Sequence, residues 1–348
     1  MKRTIMLLLA LLLIVAPVAA QDDDTLVIVT YGSFAISEEV LEQFEEETGV
    51  TVQILRLSDT GNVVNQSILT RDNPLGDVIY GIDNTFLSRA LDADLFIPYE
   101  SPMLENVPDE LQLDADEFYV TPVQYGDVCL NYDRAYFAEN ELDVPQSLED
   151  LTLPAYRDML VVQNPAASSP GLAFLIATIA VFGEDGDYTY LDYWAELTAN
   201  GVLVVDGWSE AYYNEFTATG EGTYPLVVSY ASSPPAEVFF ASEELDEAPT
   251  GAIIADDTCF RQIEYTGILH NATNAEAAQQ FIDFTLGVTW QEDLPLQMFV
   301  FPVNTEAELP DVFAEYAEIP DNPVVIDYRD IDEKREEWIE AWTDVVLR

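Results

Sequence analysis

LVIVTYGSFAISEEVLEQFEEETGVTVQILRL, residues 26–57, decides the fold class. It opens with an apolar run, 26–30, that halts at Gly32. Ser37 then precedes a segment in which Val40, Leu41 and Phe44 recur at three- and four-residue spacing, and Gly49 closes it. A polar cap, one apolar stripe and a terminal glycine predict an amphipathic helix. VTVQILRL, 50–57, predicts a second strand. Strand, helix and strand within about thirty residues make a βαβ unit, whose strands lie parallel because the helix carries the chain back to the same edge. Parallel sheets are covered by helices on both faces, so the class is α/β. The alternation continues outward. DVIYGIDN predicts a strand at 78–81 and LSRALDADLF its helix; MLVVQNP, GVLVVDG and PLVVSY predict strands, SSPGLAFLIATIAVFG and YTYLDYWAELTAN helices.

Two segments break this rhythm. YVTPVQYGDVCLNYD, starting at Tyr119, and DTCFRQIEYTGIL, 257–269, are long extended runs with no helix close by. If they pair antiparallel, the chain crosses from one lobe to another and returns. The expected organisation is two lobes, 21–126 with 260–348 and 127–259, each a mixed sheet flanked by helices. Two crossing strands would hinge them about a cleft.

The first twenty residues, MKRTIMLLLALLLIVAPVAA, place Lys2 and Arg3 before an apolar stretch and end in Val18-Ala19-Ala20, the pattern of a secretory signal cleaved after Ala20. A free periplasmic protein is expected, because no cysteine stands at the cleavage point to carry a lipid. Nothing later approaches the roughly 18 consecutive apolar residues of a spanning helix. The chain has 12 Lys and Arg against 65 Asp and Glu, a net charge of −53; without Lys2 and Arg3, ten bases face 65 acids, a net of −55. Such a field repels nucleic acid and opposes self-association, so a monomer with no nucleic-acid partner is expected. A solvated acidic surface accounts for the bulk of this charge, since salt confines any concentration of cations to about 8–10 Å. An even count of two cysteines in an exported chain favours a Cys129–Cys259 disulfide, with two buried free thiols as the alternative. With one histidine, His270, and no CxxC, no zinc site is legible and no metal or cofactor is expected. A hydrolase would have to pair Ser168 or Ser169 with that histidine, so an enzyme is not expected.

In open α/β sheets ligands sit beyond the carboxyl ends of strands. Those ends deliver Tyr31, Gly32 and Ser33; Ser58, Asp59, Thr60 and Gly61; Asp83 and Asn84; Ser168 and Ser169; Trp208; and Tyr230, Ser232 and Ser233. The set is aromatic, hydroxylic and acidic. Each has a plain alternative: Tyr31 and Tyr230 as strand-end residues, Asp59 and Asp83 as turn or cap residues. Ser168 reads as an N-cap with Pro170 in the first turn, a geometry that also attracts phosphate. Trp208, in DGWSE, is poorly placed for a core and suits stacking on a flat cation.

TYGSF at 30–34, SDTG at 58–61, GIDN at 81–84, SSPGL at 168–172, GWSEAY at 207–212 and SYASSP at 229–234 carry a resemblance. Together they resemble the periplasmic thiamine-binding proteins, the substrate-capturing components of ABC importers, and the likeness runs through to REEWIEAW. It implies the two-lobed type II periplasmic binding protein fold and a membrane permease as partner. It also implies that Asp59, Thr60, Ser168, Ser169, Trp208, Tyr230, Ala231, Ser232, Ser233 and Pro234 contact thiamine or a thiamine phosphate, with Tyr31 as a ring partner and Asp83 in the cleft. Where the family can have a tryptophan, FVFPV offers Phe299; Pro235-Ala236 stands where relatives can have a tyrosine. Polyamine and ferric-ion binders share the fold and are the alternatives. Ferric capture uses adjacent tyrosines late in the second lobe, whereas SYASSPP has one and Tyr212-Tyr213 falls earlier.

Overall fold

β1 (Thr25–Tyr31), α1 (Glu38–Thr48) and β2 (Thr51–Leu57) form the expected unit, with the two strands parallel and Thr25 opposite Thr51. The computed structural model describes residues 24–243, 245–324 and 326–348, so the leader at 1–20 lies outside the described residues. Val40 and Phe44 bury the apolar stripe of α1, and Gly49 ends it at φ 74°, a left-handed conformation that a side chain would strain. Ser37 differs from the sequence expectation. Its hydroxyl donates to Asp293 at 2.5 Å rather than capping the helix.

α2 (Thr60–Leu69), β3 (Val78–Asp83), α3 (Leu87–Asp92) and β4 (Phe96–Ile97) complete the first block. β3 runs two residues beyond the expected 78–81 because Ile82 and Asp83 pair with a later strand. β5 (Thr121–Asp133) leads through α4 (Arg134–Glu139) into a second block. That block comprises β6 (Leu160–Gln163), α5 (Ser169–Phe182), α6 (Tyr190–Ala199), β7 (Leu203–Val205), α7 (Trp208–Glu210), β8 (Leu226–Tyr230), α8 (Pro234–Phe239) and β9 (Thr250–Ile253). β10 (Phe260–Leu269) returns the chain to α9 (Ala275–Thr285), α10 (Val288–Gln297), β11 (Phe301–Pro302), α11 (Asp311–Tyr316) and α12 (Tyr328–Val346).

Among the described residues the strands form one sheet, ordered β2-β1-β3-β10-β5-β8-β6-β7 along its main path. Parallel pairs lie at both ends, β1 with β2 and β3, β6 with β7 and β8; the middle of the sheet is antiparallel. The two long extended runs are the central neighbours β5 and β10, with Phe260 opposite Val128. That register sets Cys129 and Cys259 side by side, and they form the expected disulfide. α5 is apolar around its circumference and buried along most of its length, as such a helix must be. α12 packs against both α3 and α6, with the Trp342 indole edge-on to Trp194 at 5.5 Å.

Candidate functional site

A cavity of about 450 Å³ opens where the ends of β1, β2 and β8 meet the starts of α2, α5 and α7 over the middle of β10. This is the strand-end position that open α/β sheets reserve for ligands, and the volume falls in the range of roughly 300–1,000 Å³ typical of such pockets.

Glu264 on β10 forms its floor and is 7% exposed. Its Oε2 accepts from the Tyr31 hydroxyl at 2.8 Å and from Gln124 Nε2 at 2.9 Å. Gln124 Oε1 in turn accepts from the Tyr80 hydroxyl at 2.9 Å, whose oxygen accepts from Trp290 Nε1 at 3.2 Å. Donors thus stand in one file from the core to one carboxylate oxygen. Burial raises the Glu264 carboxyl to about 8; the Tyr31 and Gln124 bonds oppose the rise and the neighbouring Asp83 and Asp59 add to it. Tyr31 reaches this position because position 81 is glycine. A Cβ there would come within 2.2 Å of the Tyr31 ring, and Gly81 itself sits at φ 89°.

Asp59 caps α2, accepting from the Thr60 amide at 2.8 Å, and its carboxyl also lines the cavity. The cap reading made for it from sequence holds. Burial lifts it to about 6, against the lowering effect of the Thr60 amide, with Asp83 raising it and the Ser169 amide lowering it. Asp83 lies fully buried behind, accepting from the Ser169 hydroxyl and from the Thr85 amide at 2.8 Å.

The walls are aromatic. Trp208 begins α7, half-buried, with Nε1 donating to Ser229 Oγ at 2.9 Å. Tyr212 stacks on its indole at 4.9 Å and 16°, and Tyr213 meets it edge-on at 5.3 Å. Tyr230 donates to Gln262 Oε1 at 2.9 Å, and its ring lies close over Gly126. At the mouth, Phe299 holds φ 52°, uncommon for so large a side chain, and its ring is 5.6 Å from that of the exposed Phe240.

Of the residues that the resemblance assigned to the ligand, Tyr31, Asp59, Thr60, Ser169, Trp208, Tyr230, Ser233 and Phe299 line the cavity, and Ser33 and Ser58 from the strand ends join them. Five others do not. Asp83 supports Ser169, and Ser168 is buried with its hydroxyl unpartnered and makes no side-chain cap. Ala231 packs on the Cys129–Cys259 bridge, Ser232 donates to the Phe299 carbonyl at 2.7 Å, and Pro234 is buried in the first turn of α8. Sequence reasoning missed Glu264, Gln262 and Tyr212. The signal for the first two was present: Gln262 and Glu264 alternate with Ile263 and Tyr265, placing two polar residues on one face of a buried strand.

His270 is exposed, six positions beyond Glu264 along β10 and its continuation, or roughly 20 Å away at strand rise. It therefore stands apart from Ser169. Among the described residues no cluster of three His, Cys, Asp or Glu is placed to hold a metal. Burial also pushes the Tyr31, Tyr212 and Tyr230 hydroxyls well above their ordinary value, which opposes phenolate ligation.

The family profile described as "Bacterial extracellular solute-binding protein" matches residues 73–334. A thiamine-binding periplasmic protein of Escherichia coli is 28% identical over 329 residues, covering 93% of this chain and 94% of the relative. A solved periplasmic thiamin binding protein superposes with a TM-score of 0.80 at 26% identity, covering 93% of this chain and 96% of its own. A ferric binding protein from Campylobacter jejuni, 18% identical with a TM-score of 0.74, covers 92% of this chain and 99% of its own and shares the fold. These neighbours have the two-lobed type II periplasmic binding fold, with mixed sheets and flanking helices.

Proposed function

The chain belongs to the bacterial extracellular solute-binding protein family, and from that premise we propose that it captures thiamine in the cavity over β10 for delivery to a membrane permease of an ABC importer. The observation that carries the reading is the lining itself. Four tyrosines, a tryptophan and two phenylalanines surround two carboxylates, Asp59 and Glu264, with no Lys, Arg or His among the lining residues. Thiamine bears a permanent positive charge on one flat ring and an amino group on another. Aromatic faces attract the cation and stack on the rings, while a buried carboxylate offsets the charge and accepts from the amino group. The thiamine-binding names of the relatives that match over nearly the whole chain support the same ligand.

The lobes are 21–126 with 260–348 and 127–259, hinged on β5 and β10, with α12 spanning α3 and α6 as a strap. The ligand set is the eight cavity-lining residues assigned by the resemblance together with Glu264 and Tyr212. The protein works as a periplasmic monomer after cleavage at Ala20, and it binds without catalysis. Linear polyamines would satisfy the same carboxylates but leave the flat walls unused.

Titration calorimetry of the purified chain with thiamine, spermidine and Fe(III) tests this. One thiamine per chain is expected, bound more tightly than either competitor. Heat from spermidine and none from thiamine would overturn the reading.

A further inference from the structure

Tyr212 covers one face of the Trp208 indole, 4.9 Å away and within 16° of parallel, and its own ring leans on Phe216 at 5.6 Å. Tyr213, 5.3 Å from the indole and 5.5 Å from Tyr212, stands beside the pair rather than over it. Neither tyrosine therefore covers the second face of the indole. The backbone that carries them is irregular: α7 passes into a π turn, Ala211–Glu215, closed by the Phe216 amide on the Ala211 carbonyl at 3.0 Å. Such turns are rare and short, so the position of Tyr212 depends on what holds the far end of its side chain.

What holds it is a carboxylate. The Tyr212 hydroxyl donates to Glu237 Oε1 on α8, and the Thr250 hydroxyl at the start of β9 donates to Oε2 at 2.7 Å. Both oxygens are engaged by protein donors, and Glu237 stands outside the cavity lining. A bond to an ionised acceptor is roughly twice as strong as one between neutral groups. The indole is fixed at its nitrogen as well, since Nε1 donates to Ser229 Oγ, which lies 2.9 Å from Ser233 Oγ.

Resting on the thiamine reading above, we infer that Glu237 is a positioning residue for the ligand: through the Tyr212 hydroxyl it locks the stacked pair, so the second indole face is set before the cation arrives. A wall fixed in advance spares the ordering of a mobile side chain on binding, which is how preorganisation raises affinity.

Near-ultraviolet circular dichroism of the free chain and calorimetry with thiamine test this at pH 8, above the value of about 7 to which burial raises the Glu237 carboxyl. Glu237→Ala is expected to lose the part of the aromatic signal that Trp208→Ala removes and to bind thiamine about 3- to 10-fold more weakly, the range that ordering one side chain supplies. Glu237→Gln, whose amide can still accept from Tyr212 and donate to Thr250, should keep both signal and affinity. Tyr212→Phe, which keeps the ring and removes the hydroxyl, should reproduce both losses, and adding Glu237→Ala to it should change nothing further. Equal losses from Glu237→Ala with and without the Tyr212 hydroxyl overturn the inference. Wild-type spectrum and affinity in Tyr212→Phe overturn it too, even where Glu237→Ala does not fold. A wild-type chain that fails to bind thiamine overturns the thiamine reading, and the spectra then decide the locking by themselves.

Discussion

At Glu264 a carboxyl that burial holds near 8 faces the cavity proposed to take a cation, and burial and ligand pull it in opposite directions. The folded value stands above the ordinary 4.5, so between these values the native chain keeps a proton that the unfolded chain has lost. The associated stability is fully present below the ordinary value and is lost as pH rises through about 8. A bound cation favours the ionised form, so capture expels the proton and affinity should rise toward pH 8, by at most about tenfold per pH unit. Calorimetry across pH 6–8 checks this, and Glu264→Gln should flatten the slope; an undiminished slope would place the proton elsewhere, Asp59 being the next titrating wall. Trp208→Ala should weaken thiamine about 2- to 30-fold with the fold intact, the range a cation–π contact supplies. Unchanged affinity would remove the indole from the site. Trp208 and Asp59 were legible because they follow strand ends. For Glu264 the alternation marked only a polar face in mid-strand, which becomes a floor when β5 and β10 pair beneath the opening.

Elements differ in how far local sequence specifies them. α1, β1 and β2 follow from periodicity and Gly49, because cap, stripe and stop are all within reach of one another in the chain. α12 spans both blocks through contacts that no local pattern encodes. Its Trp342 is fully buried against Trp194, so Trp342→Ala should cost about 3–5 kcal/mol through the cavity it leaves. Urea denaturation measures this loss, and a cost below about 1 kcal/mol would mean that the strap carries little of the fold's stability.

On the scale of the whole molecule, one covalent link and one field dominate. Cys129–Cys259 closes a separation of 130 residues across the crossing strands, so replacing both cysteines by serine should lower stability by about 2–5 kcal/mol. Denaturant midpoints of the oxidised protein and the variant give the difference; equal midpoints would show that the sheet alone sets the crossing. A net charge of −53 makes the folded chain repel itself. Adding sodium chloride from about 10 mM to 0.5 M should therefore raise the melting temperature through screening, and a fall would show that surface ion pairs outweigh the repulsion.

By itself the sequence determined the α/β class, the two long extended runs and the aromatic, acidic character of the strand ends. Each of these is a matter of local spacing or of residue chemistry. Only the tertiary structure decided that Asp83 accepts from the Ser169 hydroxyl at the start of α5, that Ser168 is buried outside the cavity lining, and that Glu264 forms the floor. Those outcomes depend on the register of β10 against β3 and β5, where residues more than a hundred positions apart meet, and register is a property of the assembled sheet.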